Sequence, residues 1–412
     1  MIHIVDKREC CGCGACIQRC PKHCIRMVED EEGFLYPNVE TELCIDCGIC
    51  EKVCPEIHRN EPRQPLSVFA AKNPNDEVRL QSSSGGIFTM LAEKIIEEGG
   101  VVFGVGYNDH WEAAHYYTET KEGLAAFRMS KYVQSIVGNT FKEAETFLKS
   151  GRKVLYSGTP CQIAGLKRFL RKEYNNLLAL DFICHGTPSP GIFRWFLAEE
   201  FAKHSSQNSK PFKMRPRNIP SIPKADILAQ NHGFEIKDIR FRDKKIGWKN
   251  FSFVLDVTKD TDDKANGCTT LSFVTDKDQN TFLRGFLSDL YLRPSCEVCP
   301  VKELRSGADI TIGDFWGFKG TQDFSDDDKG VSAILLVTQK GADAFNGLDV
   351  LKINSSLEDV SKYNDALSHS ASSPYRTYFF RFKRKPLRWI VRRITSFDLK
   401  DKILRKIWLK LH

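Results

Sequence analysis

The sequence predicts an α+β chain in three parts. A short N-terminal module is organised by cysteines, a larger mixed α/β body carries an antiparallel sheet region, and basic amphipathic helices close the chain. Three observations predict this. One cysteine spacing occurs twice before residue 58. Strand and helix patterns alternate from Ser67 to Ile183. Residues 376–412 gather 13 Lys or Arg against 2 Asp, a net of +11 in a chain whose total is +7.

The duplicated spacing is C-x2-C-x2-C-x3-C-P. Cys10, Cys13, Cys16 and Cys20 precede Pro21; Cys44, Cys47, Cys50 and Cys54 precede Pro55. A module with two [4Fe–4S] clusters uses this run, with the fourth cysteine of each run serving the other cluster. Cys10, Cys13, Cys16 and Cys54 are therefore assigned to one cluster, and Cys44, Cys47, Cys50 and Cys20 to the other. Soft thiolates suit iron. Zinc favours separated C-x2–4-C pairs, and disulfide frameworks need an oxidising compartment. The dicluster ferredoxin module spans 1–58, and the Pro-containing stretch 59–66 is a linker.

The body is placed at 67–340. Ser67–Ala71 reads as a strand, Ile87–Glu98 as a helix stopped by Gly99-Gly100, and Val101–Tyr107 as a buried strand. Phe141–Lys149 reads as a helix. Lys153–Ser157 and Leu177–Ile183 are strands that run into Gly158-Thr159-Pro160-Cys161 and Cys184-His185-Gly186. Such alternation argues for ligand loops at strand ends. From Ile239 to Phe273 the period changes to that of antiparallel strands, with turns at Asp262-Asp263 and Asn266-Gly267. Thr281–Leu290 is read as helical and Val331–Thr338 as a core strand. Residues 341–375 form a connecting region, and 376–412 the basic tail.

A third [4Fe–4S] cluster is expected on Cys161, Cys184, Cys296 and Cys299. The last two form a C-x2-C pair before Pro300, and the first two lie in Gly-containing loops that neighbouring strands bring together. Buried free cysteines are the alternative. Cys11, Cys24 and Cys268 fall outside every spacing and are read as unliganded.

Ser82-Ser83-Ser84-Gly85-Gly86 opens a helix, and glycine, hydroxyls and a helix N-terminus together suit a phosphate. Serine capping the helix accounts for the same residues. Gly104-Val105-Gly106 is not followed by a helix start, so a Rossmann dinucleotide site is not expected.

Composition narrows the remaining choices. The chain has 412 residues, 41% hydrophobic, and its start is polar. No export signal or run of 18 apolar residues is read, and fifteen cysteines then imply a reducing cytoplasm. Outside the tail the net charge is −4. Nucleic acid is therefore not an expected partner, and no Ser/His/Asp hydrolytic constellation is present.

Taken together, these motifs resemble the family of coenzyme F-420 hydrogenase and dehydrogenase beta subunits, over about residues 1–340. The double cysteine run, Ser82–Gly86, Lys131-Tyr132-Val133-Gln134-Ser135, Gly158–Gln162, Cys184-His185-Gly186, the Cys296/Cys299 pair and Asp309–Gly317 carry the resemblance. It implies FAD beside the clusters. Ser82, Ser83, Ser84, Gly85, Gly86, Lys131, Tyr132, Gln134, Ser135, Thr159 and Gln162 are implied to lie near the flavin. The implied activity is electron transfer between reduced coenzyme F-420, or another small redox substrate, and a redox protein. The basic tail is similar to a bacterial branch found beside surface-polysaccharide genes. A non-catalytic electron carrier or scaffold in that setting is the alternative function.

Four further residue roles are read. His185 donates a proton to substrate or a hydrogen bond to cluster sulfur. Asp314 holds a ribityl or ribose hydroxyl, or caps a turn. Lys131 pairs with flavin phosphate or the isoalloxazine edge. Arg242, Lys244, Lys245 and Trp248 form a basic aromatic loop that receives an anionic substrate or is a solvated hairpin. In the tail, Trp389, Ile390, Ile394 and Phe397 gather on one helical side, and Ile403, Ile407 and Leu411 on another. An anionic membrane surface, the body or a second copy, and an acidic protein are the three occupants considered for these faces. The expected location is cytoplasmic, with a peripheral position at the inner membrane face left to the tail.

Overall fold

A computed structural model describes residues 1–205, 218–260, 268–322 and 324–411. The turns read at Asp262-Asp263 and Asn266-Gly267 lie outside the described residues, as do the side chains of Cys268, Ile407 and Leu411.

The first 58 residues contain the short antiparallel pair β1 (Ile25–Glu29) and β2 (Leu35–Val39), joined across a turn around Gly33. The body is built on one eight-stranded sheet. Its strands in chain order are β3 (Ser67–Lys72), β4 (Val101–Tyr107), β5 (Ala113–Thr118), β6 (Val154–Ser157), β7 (Leu177–Phe182), β11 (Ile310–Asp314), β12 (Ser332–Leu336) and β13 (Leu351–Ser355). Across the sheet they run β13-β3-β12-β11-β7-β6-β4-β5. The four central strands, β4, β6, β7 and β11, are parallel, and antiparallel pairs flank them on both sides. Parallel strands covered on both faces need continuous apolar runs, and β4, β6 and β7 supply them with Val, Leu, Phe and Tyr. The helix pattern read at Ile87 is realised as Ile87–Glu97, which buries Ile87, Leu91, Ala92 and Ile95 against β4 and β6.

Strand β13 falls inside the segment read as a connector. It pairs Leu351–Ser355 with β3 and extends the sheet. The antiparallel region is a separate three-stranded sheet of β8 (Phe234–Asp243), β9 (Ser252–Asp260) and β10 (Cys268–Asp276), in the order β10-β9-β8. The helical stretch read at Thr281–Leu290 ends earlier, at Phe286, and Asp289 follows with a φ of 58°. A left-handed residue there breaks the helix.

The tail divides into two helices with different surroundings. In Leu387–Thr395 the side chains of Leu387, Ile390, Val391 and Ile394 are buried in the same core as Phe196, Phe282 and Tyr291. Glu199 receives the Leu387 N–H at 2.6 Å, which anchors the helix start. The apolar side that holds Ile390 and Ile394 therefore packs on the body. Phe397, Leu399, Ile403 and Leu404 of the following segment are exposed, while Trp408 stacks edge-on against Tyr378.

This division has a measurable consequence. Ile390→Ala is expected to lower unfolding free energy by ~2–4 kcal/mol, because it leaves a cavity in a packed core. Ile403→Ala is expected to change it by less than ~0.5 kcal/mol. Denaturant unfolding followed by circular dichroism distinguishes the two; equal small effects contradict the docking of the first helix.

Candidate functional site

The ends of β3, β6, β7 and β11 point to one edge of the body, and the expected site residues gather there. The N-terminal module packs against the same region. Cys11, Cys13, Ala15 and Val53 share a core with Phe141, Ile163 and Leu166. Gly165 is the reason the helix Pro160–Leu170 can come so near: a Cβ on it would lie 2.8 Å from Cys13 Sγ.

Three cysteine-lined cavities occur among the described residues. Cys10, Cys13, Cys16 and Cys54 line one, with Glu56, Met27 and Pro37. Cys20, Cys44, Cys47 and Cys50 line another, and Cys24 joins them. Each encloses about 340 Å³ of empty space, open solvent included. The third, of about 650 Å³ including its mouth, is lined by Cys161, Cys184, Cys296 and Cys299, together with His185, Arg293 and Lys302. Among the described residues no group of three or more Cys, His, Asp or Glu is arranged to hold a metal ion.

Burial pushes the Cys184 thiol well up and the Cys296 thiol up to about 12. The Cys161 thiol is pushed up by the neighbouring Cys11 thiol and by burial. Such thiols become thiolates when a bound metal takes the negative charge. Cys161 sits in the first turn of Pro160–Leu170, where Thr159 Oγ1 lies 3.2 Å from its sulfur. The Thr187 N–H approaches Cys296 Sγ at 3.4 Å, and Lys302 Nζ donates to Cys184 O at 2.8 Å. Cys11 lines both the first and the third cavities, so this cysteine outside the spacing stands between them.

The residues implied to surround a flavin form a continuous chain of contacts. Ser83 and Ser130 hydroxyls lie 2.8 Å apart. Tyr132 accepts from Arg242 at 3.4 Å, and Arg242 is ion-paired with Asp314. Asp314 also accepts from Trp248 Nε1 at 3.1 Å, and Trp248 stacks on Trp316 at 4.8 Å. Gln134 donates to Cys11 O at 3.4 Å and accepts from Arg293 at 2.9 Å. Gln162 donates to Ser135 at 2.9 Å and accepts from the Thr159 N–H at 2.9 Å. The segment Lys131–Ser135 thus runs from the Arg242–Asp314 pair to the edge of the third cavity.

Several expected donors are already engaged. Ser82 Oγ donates to Val78 O at 2.7 Å and Ser84 Oγ to Val331 O at 2.8 Å. Lys131 Nζ donates to Ala126 O and Arg128 O at 2.7 and 2.6 Å, and burial lowers its pKa to about 7. It braces a turn and has no acidic partner in these contacts. Lys244 does the same for the Ser/Gly loop, donating to Arg79 O, Ser84 O and Lys329 O. The loop read as basic and aromatic is therefore folded inward at Arg242, Lys244 and Trp248, all buried. Arg242 Nε and Nη2 are buried without a hydrogen-bond partner, and no side chain caps the helix Ile87–Glu97. Gly86, with a φ of 80°, lets the chain enter that helix. Buried donors without a partner are the kind that phosphate oxygens would satisfy.

His185 stands at the third cavity with Nε2 2.6 Å from Asp289 Oδ1. Four more residues belong to the site and are absent from the sequence reading. Arg293 lines the third cavity and reaches Cys10 of the first. Asp181 lies under the third, accepts from Thr311 at 2.5 Å, and is pushed up to about 7 by burial. Asp289 orients His185. His115 stacks on Tyr156, receives the Ser135 hydroxyl at Nδ1 at 3.2 Å and donates from Nε2 to Ser157 O at 3.3 Å. An acid within the apolar run Leu177–Ile183 was the one visible signal, for Asp181.

With this geometry in view, the comparisons with known proteins are specific. Residues 9–58 match the model of a 4Fe-4S dicluster domain. Residues 68–141 match the N-terminal model of coenzyme F420 hydrogenase/dehydrogenase beta subunits, and residues 151–355 match the C-terminal model. The chain is homologous to that family and carries a 4Fe-4S dicluster domain. It is 22% identical to the coenzyme F420-dependent sulfite reductase of Methanocaldococcus jannaschii, over 94% of this chain and 57% of that protein. It is 25% identical to one subunit of the F(420)H(2) dehydrogenase of Methanosarcina mazei, over 43% of this chain and 53% of that protein. The chain thus spans a little over half the length of these relatives. A chain of the F420-reducing [NiFe] hydrogenase complex from Methanosarcina barkeri aligns over 82% of this chain and 95% of that one, with a TM-score of 0.41 and 17% identity.

The buried imidazole of His115 yields a pH prediction. Burial lowers its pKa from 6.5 to about 4. As pH falls below 6.5 the unfolded chain takes the proton first, so stability drops. Relative to His115→Gln, the native protein should lose ~2 kcal/mol between pH 7 and pH 5. Urea unfolding of both at the two pH values measures this, and parallel behaviour contradicts a neutral buried His115.

Proposed function

We propose that this chain is a FAD-dependent iron–sulfur oxidoreductase that links a small two-electron substrate to a one-electron redox protein. Reduced coenzyme F420 is the candidate substrate, through homology. Among the observations, the Lys131–Ser135 segment supports this reading most directly. It ties the unpartnered donors of Arg242 to the thiol-lined third cavity within one stretch of chain.

When bound, FAD supplies the exchange between two-electron and one-electron chemistry, and [4Fe–4S] clusters supply one-electron steps. The ligands proposed for the ferredoxin clusters are Cys10, Cys13, Cys16 and Cys54, and Cys20, Cys44, Cys47 and Cys50. Those proposed for the body are Cys161, Cys184, Cys296 and Cys299. For the flavin, Gly85 and Gly86 set the approach of a phosphate to the helix start, and Arg242 neutralises it. Asp314 holds Arg242 in place, so its role is to position that cation. Tyr132, Gln134, Ser135, Thr159 and Gln162 form the wall between the two groups. His185, oriented by Asp289, is the proton donor proposed for substrate at the cavity mouth.

The alternative is a pure electron carrier whose body binds no flavin. Anaerobic reconstitution with iron, sulfide and FAD, followed by acid release and chromatography, separates the two. The proposal expects about one FAD per chain. It also expects Arg242→Met to retain at least tenfold less flavin with unchanged iron. Clusters without flavin in the native chain would favour the carrier.

A further inference from the structure

Arg293 is among the most deeply buried charges of the molecule, 1% exposed, and it stands between the first ferredoxin cavity and the third cavity. Its Nε donates to Cys10 O at 2.6 Å, and its Nη2 lies 3.5 Å from Cys10 Sγ and donates to Leu35 O at 3.0 Å. Its Nη1 donates to Gln134 Oε1 at 2.9 Å. The guanidinium also sits over the Tyr36 ring at 4.1 Å. All three nitrogens are held, so the charge is fixed in place against a thiol of the first cavity.

The second ferredoxin cavity has different surroundings. Met1 and Lys22 line it, and the Met1 amino group pairs with Asp46 and Glu51. These ion pairs are exposed, and the Lys22 side chain is also exposed. Exposed charges are screened by water and salt, whereas a buried one acts at low dielectric. Two cavities lined by the same number of motif cysteines are thus placed in unequal electrostatic fields.

From this asymmetry we infer that Arg293 is a positioning residue that raises the reduction potential of the ferredoxin cluster facing the body, held by Cys10, Cys13, Cys16 and Cys54. The inference rests on the iron–sulfur reading of the two ferredoxin cavities. Reduction adds one electron and no proton, so the net charge of the site falls by one, and a fixed cation beside it favours the reduced form. Glu9 and Glu56 line the same cavity, and Glu56 feels the Arg293 charge, so the comparison of native and variant is repeated in a Glu56→Gln background to remove that carboxylate's response.

The test is a dithionite redox titration of the reconstituted full chain, followed by electron paramagnetic resonance. Cys13→Ser and Cys47→Ser identify the body-facing and outer ferredoxin signals by perturbing one each. Arg293→Met should disfavour reduction of the body-facing site at least tenfold, ~59 mV for a one-electron couple. Arg293→Lys, which keeps the charge, should retain most of the native value, and the outer signal should move in neither variant. An unmoved body-facing signal, or equal movement of both, overturns the inference. Should Arg293→Met take up less iron, the same titration of Arg293→Gln decides: a lowered body-facing potential supports the inference and an unmoved one overturns it. A native chain without two reducible ferredoxin signals removes the iron–sulfur reading itself. Two such signals that ignore Arg293→Met remove only the inference.

Discussion

The burial of the Arg293 guanidinium is the interaction on which the arrangement of the module and the body depends. A buried cation is tolerated only when its donors are met by acceptors in good geometry. Here the acceptors are Cys10 O, Leu35 O and Gln134 Oε1, from the first cysteine loop, from β2 and from the Lys131–Ser135 segment. All three segments must be in place at once. That requirement fixes the module against the body, brings Cys11 to the edge of both cavities and sets the wall beside Cys161. Other ties add to it: the Phe141 N–H donates to buried Gln18 within the shared core, and the Arg19–Glu145 pair lies beside it.

The sheet explains why the remaining groups meet. Parallel strands β6, β7 and β11 deliver the residues after them to one edge, and β3 runs in the same direction through two antiparallel pairings. Cys161, Cys184, Asp314 and the Ser82–Gly86 loop therefore share an edge although they are far apart in sequence. Strand β8 from the second sheet closes over it with Arg242 and Lys244. Lys244, just after β8, donates to Ser84 O and ties the end of that strand to the Ser/Gly loop. The same packing extends to the tail, where Leu387 and Ile390 complete the core behind the small sheet.

Much of this was legible in the sequence because cysteine spacing encodes geometry directly. The grouping of Cys20 with the second run, and of Cys54 with the first, follows from spacing alone and is the grouping that lines the two cavities. Cys161 and Cys184 were legible because each follows a clear strand. What could not be read was how donors are spent. Ser82, Ser84 and Lys131 look like phosphate ligands, yet their polar atoms bind nearby carbonyls. Arg242 looks like a surface residue of a charged hairpin, yet aromatic residues and Asp314 enclose it. Arg293 sits beside the Cys296/Cys299 pair in sequence, but its acceptors lie more than a hundred residues away. Strand β13 was hidden for a related reason: its Lys, Asn and Ser residues suit an exposed edge and give no apolar alternation.

Iron and sulfide analysis of the anaerobically reconstituted full chain, with Mössbauer spectroscopy to confirm cluster type, tests the central claim most directly. The account predicts about 12 iron per chain, all in [4Fe–4S] form, falling to about 8 when Cys184 and Cys299 are both replaced by serine. About 8 iron in the native chain, unchanged by those replacements, contradicts a cluster in the body and with it the path proposed between the body and the ferredoxin module.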